Sequence, residues 1–282
     1  MVSRFVNAAI LGTPAGQVPC MPNPDGSPSG PQQNPGEITN WPMLKITYRT
    51  DPEKIAALLP PGIEPGDNPF VHITFYNVPV LNAPEYGVVV AVEAKHKGVK
   101  GEYTVCMGID QEDPLYISHE LWGEPKYQAH IPYYRMYNHI EAKVIHQGHT
   151  FIEFSGDVTG TLPNDDDTEQ NDWWIKCLRK VDLSFEEYDF PPHVVRVRTV
   201  SGCAFKEKVE GKLTLRDSPW DPIVTYLPMR EQVSACLVTP IFKDRQITLD
   251  GQLDGKKFWP FADTIGGSRW PGEMGGPKHN IG

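Results

Sequence analysis

The chain has no long hydrophobic run, no nucleotide-binding loop and no excess of basic residues. No apolar stretch approaches the ~20 residues that a membrane-spanning helix needs, so a membrane partner is not expected. There is neither a G-x-G-x-x-G turn after a strand nor a Walker-type loop, which argues against a nucleotide enzyme. The 282 residues carry a formal net charge of -10. Such a charge repels a phosphate backbone, so nucleic acid is not expected as a partner.

Cysteine is scarce and widely spaced. The count is odd, and no cysteine lies two or three residues from another, which argues against a disulfide framework and against a zinc knuckle. A cytoplasmic protein with reduced thiols is therefore expected. The alternative is a secretory signal, because a short apolar run lies at residues 5–11. The five cysteines are Cys20, Cys106, Cys177, Cys203 and Cys236.

The two ends of the chain differ in composition from its middle. Residues 13–42 are rich in Pro, Gly, Asn and Gln, and we predict an extended N-terminal arm over 1–42. A Gly- and Pro-rich C-terminal tail is predicted over 251–282. Its three large aromatic residues, Trp259, Phe261 and Trp270, are costly to leave in water, so they are expected to dock on the body or on a partner chain. The domain proper is predicted over 43–250.

The middle of the chain has the pattern of a β-protein. Aromatic and β-branched runs alternate with turn residues, and there is no βαβ alternation. The clearest helix prediction is Asp51–Leu59, with Pro52 in its first turn, and a second short helix is predicted over Asp221–Leu227. The fold class expected is α+β but mostly β, an antiparallel curled sheet or barrel with a few short helices. Strands are predicted over 70–80, 88–92, 103–109, 138–145, 150–159, 194–200 and 211–215.

One stretch, HELWGEPKYQAH (119–130), places Lys126 between a proline and a tyrosine. By spacing alone such a lysine is an ordinary surface group. However, PKYQA with ELWG before it is similar to the active-site lysine motif of the acetoacetate decarboxylase family. Further stretches resemble that family in the same order, and the resemblance covers about residues 40–250. These stretches are ITYRTDPEKIAALLPPGIEP (46–65), NPFVHITFYNVP (68–79), GVKGEYTVCMGID (98–110) and residues 211–242.

The resemblance implies a cone-like β-barrel with Lys126 as an amine nucleophile inside a mainly apolar cavity. A free amine attacks a carbonyl carbon, and the protonated imine then acts as an electron sink. It can drive decarboxylation of a β-keto acid, or aldol addition and dehydration. The partner expected is therefore a small-molecule carbonyl substrate. No cofactor is implied, because the lysine supplies the electron sink, and a homo-oligomer is implied because the family commonly assembles.

Several polar residues of the family's site are replaced in this chain. The second lysine that directly follows the first is Tyr127 here, the arginine before the Y-R-T-D strand is Trp41, and a glutamate of the next strand is Thr74. A second family glutamate falls two or three residues after Glu85, which is the nearest carboxylate. These replacements predict an apolar, aromatic pocket and a larger, less polar substrate than acetoacetate.

Other residues near the lysine have two interpretations each. Glu120, which the family motif shares, would orient the site or be paired in the core. Glu124 would point the same way as Lys126 or be exposed. Tyr127 would protonate an intermediate or wall the cavity. The aromatic candidates for substrate binding, each of which could equally be a core residue, are Tyr76, Tyr103 and Trp122.

Three classes of function stay open at this point. The first is a lysine-dependent lyase, either a carboxy-lyase or an aldolase-dehydratase. The second is a non-covalent hydratase, isomerase or cyclase, and the third is a protein that binds a small apolar ligand. No metal site is predicted, because His146 and His149 flank a turn without an obvious third ligand. The acidic segment 161–172 lacks the spacing of a calcium loop and is predicted to be a solvated hairpin tip.

Overall fold

The computed structural model describes residues 42–80, 83–262 and Trp270. The predicted arm, apart from its last residue, and the site candidate Trp41 lie outside these residues. In the described ranges, no helix has both the length and the apolar character required to cross a bilayer.

Twelve strands and four short helices make up the described part of the chain. The strands are β1 (Met43–Arg49), β2 (Glu64–Pro65), β3 (Phe70–Val80), β4 (Ala83–His96), β5 (Val99–Ile109), β6 (Lys126–Gln128), β7 (Tyr133–Met136), β8 (His139–His146), β9 (His149–Thr161), β10 (Thr168–Arg179), β11 (Tyr188–Leu215) and β12 (Glu231–Gln252). The helices are α1 (Pro52–Leu58), α2 (Asp113–Trp122), α3 (Ile223–Tyr226) and α4 (Gly255–Phe258), and a 3-10 turn follows at Trp259–Phe261.

Seven strands close into a barrel. Neighbouring strands follow the order β10-β5-β4-β3-β1-β12-β11, and β11 pairs again with β10. The strands β9, β8 and β7 continue the sheet outward from β11. The prediction of a mostly-β curled sheet or barrel with few short helices is confirmed. Two pairings are parallel rather than antiparallel, β10 with β5 and β5 with β6.

Both predicted helices are present, whereas α2 and α4 have no counterpart among the predictions. Helix α1 lies within the predicted Asp51–Leu59 and buries Ile55 and Leu58. Asp51 stands at its N-cap but makes no capping hydrogen bond, because its carboxylate binds Arg230 at 2.6 and 2.9 Å. Helix α3 lies within the second predicted segment. Helix α2 was not predicted, although it contains the first half of the lysine motif.

Alternate residues along the strands face two different environments, the main apolar core and the interior of the barrel. Leu44, Ile46, Ile73 and Phe75 belong to the main apolar core, whereas their neighbours on the same strands face the barrel interior. The aromatic residues of the predicted tail pack on this core: Trp270 is fully buried in it, and Trp259 and Phe261 lie against it. Full burial of a large apolar side chain stabilises a fold by about 1.5–3 kcal/mol, so Trp270 above all contributes to the stability of the barrel.

Candidate active site

A cavity of about 170 Å³ lies inside the ring of strands. All seven ring strands contribute side chains to it, together with β6 and the residue two positions before Lys126. A cavity of ~150 Å³ is known to hold a benzene-sized ligand, so this space suits a small molecule. Seven charged side chains line it: Lys45, Glu85, Glu102, Glu124, Lys126, Asp172 and Arg245.

Lys126 projects into this cavity from β6. Its strand pairs with β5, with Lys126 opposite Met107, and its carbonyl accepts a hydrogen bond from His119 Nε2 at 2.7 Å. The side chain is 3% exposed. Its Nζ lies 3.5 Å from Glu124 Oε2 and 3.8 Å from Glu85 Oε1. The amine therefore stands between two carboxyl groups and opens toward the cavity.

The turn before Lys126 explains the ELWG part of the motif. It is the last turn of α2, which ends on Gly123 in a left-handed conformation with φ of 63°. The Gly123 N–H donates to His119 O at 3.1 Å. A Cβ at this position would lie 2.5 Å from Ile175 O, so both the space and the dihedral angle require glycine. The turn places Glu124 directly beside the lysine.

The second carboxyl group is held by a tyrosine. Tyr76 Oη donates to Glu85 Oε1 at 2.9 Å. Burial, only partly offset by the charge of Lys126 and by this hydrogen bond, raises the pKa of Glu85. Glu85 therefore keeps its proton at pH values above its ordinary pKa, as a general acid requires. Gly87 makes room for the Tyr76 ring, since a Cβ there would lie 2.0 Å from Cζ of the tyrosine.

Two further carboxyl groups lie in another part of the cavity wall. Glu102 of β5 and Asp172 of β10 are register partners in the short parallel contact between these strands. Burial is the largest cause that raises the pKa of each carboxyl to about 7. Gln170 Nε2 lies 2.9 Å from Asp172 Oδ1. These residues were not among the sequence-based candidates, and neither was Arg245.

Four of the candidates named from the sequence lie around Lys126. Thr74, Tyr76, Glu85 and Glu124 all line the cavity. For Glu124 this is the first of its two interpretations, since it points the same way as Lys126. The contacts of these residues are shown by the structure, whereas their roles in catalysis stay predictions.

Tyr127 does not line the cavity. Consecutive strand residues point to opposite faces, and Tyr127 points into the main core. Its hydroxyl lies 3.9 Å from Cys106 Sγ, and its ring centroid is 4.2 Å from that of His146. His146 in turn hydrogen-bonds Asp221 at 2.5 Å. This position does not fit the expectation that Tyr127 protonates an intermediate or walls the cavity.

Three further candidates also lie away from the cavity. Glu120 is exposed on α2, where only its backbone carbonyl is engaged, by Lys176 Nζ at 2.8 Å. Trp122 packs against a small cluster that contains Trp174, Val195 and Val197. Tyr103 is buried in the main core, because Glu102 and Thr104 on either side of it face the cavity.

The cavity is more polar than the sequence suggested. Apolar groups such as Met43, Trp174 and Phe242 are present, but four carboxyl groups and three cationic side chains share the wall with them. The expectation of an apolar, aromatic pocket is therefore corrected. Polar residues of the family are replaced here, but β1, β5, β10 and β12 bring other charged residues into the wall. In the part of the chain that the structure describes, no group of three or more His, Cys, Asp or Glu side chains is arranged to hold a metal ion.

Sequence comparison gives the family. The model described as acetoacetate decarboxylase (ADC) matches residues 17–253. This chain belongs to the acetoacetate decarboxylase family. A curated acetoacetate decarboxylase from Paraburkholderia phytofirmans is 40% identical over 107 residues, which are 36% of this chain and 41% of that protein. The chain thus spans about two fifths of the length of the curated relatives that it matches.

Solved structures share the acetoacetate decarboxylase fold with this chain. Acetoacetate decarboxylase from Legionella pneumophila has a TM-score of 0.65 at 17% identity, over 76% of this chain and 86% of that one. MppR, an enduracididine biosynthesis enzyme solved with the condensation product of pyruvate and imidazole 4-carboxaldehyde, has a TM-score of 0.57 at 16% identity, over 78% of this chain and 92% of that one. Identities this low show the fold alone.

Proposed function

We propose that this chain is a lyase in which Lys126 forms a Schiff base with a small-molecule carbonyl compound. The observation that carries the proposal is a lysine amine, 3% exposed, that opens into a cavity between two carboxyl groups at 3.5 and 3.8 Å. Lysine is seldom so enclosed unless it is paired or functional. Membership in the acetoacetate decarboxylase family supports the same role.

The carboxyl groups beside Lys126 supply the proton transfers that imine formation needs. Glu124 accepts a proton from the ammonium group, and the free amine attacks the carbonyl carbon. Glu85, with its raised pKa, donates a proton to the hydroxyl group of the carbinolamine, which leaves as water. The product is a protonated imine, and its hydrolysis at the end of the cycle regenerates the amine.

Two reactions follow from that imine. In a β-keto acid the bond to the carboxylate breaks, its electron pair moves toward the imine nitrogen, and carbon dioxide and an enamine form. In the aldol reaction the imine loses an α-proton to give the enamine, which adds to an aldehyde, and the adduct then loses water. The curated relatives favour the carboxy-lyase. The condensation product bound by MppR is a precedent for the aldolase-dehydratase. Carbon dioxide release and the mass of a condensation product separate the two.

The charged residues of the cavity wall indicate which class of substrate the cavity suits. The expectation of a larger, less polar substrate than acetoacetate depended on an apolar pocket, and four carboxyl groups in the wall argue against it. A volume of about 170 Å³ suits a compact molecule that carries polar groups. We therefore propose a small polar carbonyl compound as the substrate class.

Non-covalent chemistry is the second candidate for this cavity. The two ion-pair distances at Lys126 are those that a permanent ammonium group would make. In that case Lys126 acts as a fixed cation for a hydratase, isomerase or cyclase, or for ligand binding alone. The two candidates differ in whether a covalent bond to Lys126 forms.

Reduction with sodium borohydride tests the proposal. Intact-mass analysis after treatment with a panel of ketones, aldehydes and β-keto acids should show a covalent mass gain in the wild type. Lys126→Ala should show none, and Lys212→Ala, which removes an exposed lysine, should match the wild type. A gain that persists in Lys126→Ala would assign the adduct to another lysine, and no gain with any compound would favour the non-covalent candidate.

Assembly and location are proposed on separate grounds. The described cysteines are all free, which supports a cytoplasmic location with reduced thiols. Exposed apolar side chains in the β10–β11 loop, Val181, Leu183 and Phe185, support a homo-oligomer, because such groups are usually covered. Light scattering at two protein concentrations would measure the assembly.

A further inference from the structure

Glu102 and Asp172 form a carboxyl pair in the wall of the lysine cavity. They are register partners on β5 and β10, and neighbouring strands lie about 4.8 Å apart. Both side chains face the cavity that contains Lys126. Glu102 and Gln170 also border an outer cleft on the surface. Glu102 therefore stands where the lysine cavity adjoins this cleft, with Asp172 opposite it in the cavity wall, so a substrate that extends from Lys126 toward the cleft would reach the pair.

Several carboxyl oxygens in the cavity wall receive few or no hydrogen bonds from the residues that the structure describes. Within residues 42–80 and 83–262, no Lys or Arg nitrogen forms a salt bridge with Glu102 or Asp172. The hydrogen bond from Gln170 is the single one that the pair receives there. Glu85, which is 2% exposed, also has one oxygen without a hydrogen bond, whereas the corresponding oxygen of Glu124 lies 3.5 Å from Lys126 Nζ. Buried carboxyl oxygens without donors are costly, so an occupant that donates hydrogen bonds would fit.

The balance of charges in the cavity also favours an occupant that donates hydrogen bonds. Its four carboxyl groups face three cationic side chains, and one of these, Lys126, has to lose its charge before it can attack a carbonyl. The charges that act on the pair from the surrounding strands are Lys45 on β1, Glu93 on β4 and Arg245 on β12. Lys45 is exposed, so its charge is partly screened by water. Positive charge is therefore in deficit around the pair.

We propose that Glu102 and Asp172 bind a protonated nitrogen group, such as an ammonium, amidinium or guanidinium, at the end of the carbonyl substrate away from its carbonyl group. This inference rests on the proposed function, because it places the carbonyl at Lys126. Hydrogen bonds between a cation and a carboxylate are short and about twice as strong as neutral ones. The pair thus selects among carbonyl compounds of similar size.

Two methyl ketones of the same heavy-atom count test the selection, 4-acetylpiperidine, which is protonated at neutral pH, and acetylcyclohexane. The measurement is the fraction of full-length protein trapped by borohydride as a function of ketone concentration. The wild type should reach half-saturation with 4-acetylpiperidine at a concentration about tenfold lower, as expected for one charge-assisted contact. The double variant Glu102→Gln/Asp172→Asn should lose this preference and still trap acetylcyclohexane.

Equal trapping of the two ketones by the wild type would overturn the proposal, and so would a preference that survives in the double variant. Glu102→Gln alone is the second variant if the double variant does not fold. If no ketone is trapped at all, the Schiff-base function fails and the carboxyl pair is tested without it. Calorimetry with propylguanidine should then show binding to the wild type and none to Glu102→Gln, and no binding to the wild type would overturn the proposal.

Discussion

Tyr76 donates its hydroxyl hydrogen to Glu85 at 2.9 Å, and the same carboxyl oxygen lies 3.8 Å from the amine of Lys126. The tyrosine therefore holds the carboxyl group in place beside the proposed nucleophile. Burial raises the pKa of Glu85, whereas the hydrogen bond from Tyr76 lowers it. The charge of Lys126 and the hydroxyl of Tyr76 together limit how far burial raises the pKa of this carboxyl.

Tyr76→Phe removes that hydrogen bond. The pKa of Glu85 should rise further, so the pH at which imine formation declines through loss of the Glu85 proton should move upward. The rate of borohydride trapping between pH 5 and 9 measures this shift. Tyr116→Phe is the matched control, because it removes an exposed Tyr–Glu hydrogen bond of 3.0 Å to Glu112. Identical pH profiles for Tyr76→Phe and the wild type would contradict the role of Glu85.

Glu124→Gln removes the carboxylate closest to the lysine. Its Oε2 lies 3.5 Å from Nζ, and without it the ammonium group loses its nearest proton acceptor. Trapping at pH 7 should slow by about 10²-fold, the lower end of the usual contribution of a general base. Glu120→Gln is the control, because that side chain is exposed on α2. Equal rates for the two variants would remove Glu124 from the proposed mechanism.

The sequence alone could predict that Lys126 lies beside a carboxyl group, but it could not predict which residues form the opposite wall of the cavity. The lysine and Glu124 lie in one motif, two residues apart, and strand alternation predicts their common direction. By the same alternation, Tyr127 points away from the cavity because its neighbour Lys126 points into it. Tyr103 points away for the same reason, because its neighbour Glu102 points into the cavity. Tyr127 is a candidate because it directly follows the lysine and carries a hydroxyl group, and Tyr103 because of its aromatic ring, but the position of each residue on its strand is the better guide.

Asp172 and Arg245 could not be assigned from the sequence. Asp172 ends the acidic segment 161–172, whose residues Asp165 to Glu169 are exposed as predicted. The segment is not a hairpin tip, because β9 pairs with β8 and β11 whereas β10 pairs with β5 and β11, and nothing local shows that Asp172 turns inward. That turn depends on the parallel contact between β10 and β5, which brings together residues 70 positions apart. Arg245 lies near the end of the long strand β12, and it reaches the cavity because the ring closes.

Gly87→Ala should disturb the same tyrosine by a different route. The added Cβ would lie 2.0 Å from Tyr76 Cζ, so the ring has to move away from Glu85. We expect a loss of about 1–3 kcal/mol in the free energy of unfolding, as is usual for overpacking, together with the pH profile of Tyr76→Phe. Urea denaturation and trapping rates measure the two effects. Gly160→Ala, where no atom lies within 4 Å of the added carbon, should not move Tyr76, and a similar effect there would show that the cause is general.

Tyr127→Phe distinguishes packing from acid catalysis. The Tyr127 hydroxyl donates to Cys106 Sγ at 3.9 Å, on the side of β6 opposite to the cavity. Its removal should lower the free energy of unfolding by about 1 kcal/mol, the usual net value of a hydrogen bond, and leave the trapping rate unchanged. A variant that folds normally but traps substrate far more slowly would return Tyr127 to the reaction.

Glu102→Gln should change how stability depends on pH. Glu102 and Asp172 have pKa values of about 7 in the folded protein, against about 4 in an unfolded chain. Between these values the folded state binds more protons than the unfolded state. The stability that the protonated carboxyls contribute is therefore complete below about pH 4 and is lost as pH rises through 7.

Because glutamine cannot ionise, Glu102→Gln should gain stability relative to the wild type between pH 5 and pH 8. The gain should be on the order of 1–3 kcal/mol, since each unit of pKa displacement corresponds to about 1.4 kcal/mol. Urea denaturation at the two pH values measures it. Glu169→Gln is the control: Arg198 lowers the pKa of that exposed carboxyl, so its difference from the wild type should stay constant over this range. If the Glu102→Gln difference stayed constant as well, the carboxyl pair would already be ionised at pH 5, and a cationic substrate would not have to displace a proton to bind there.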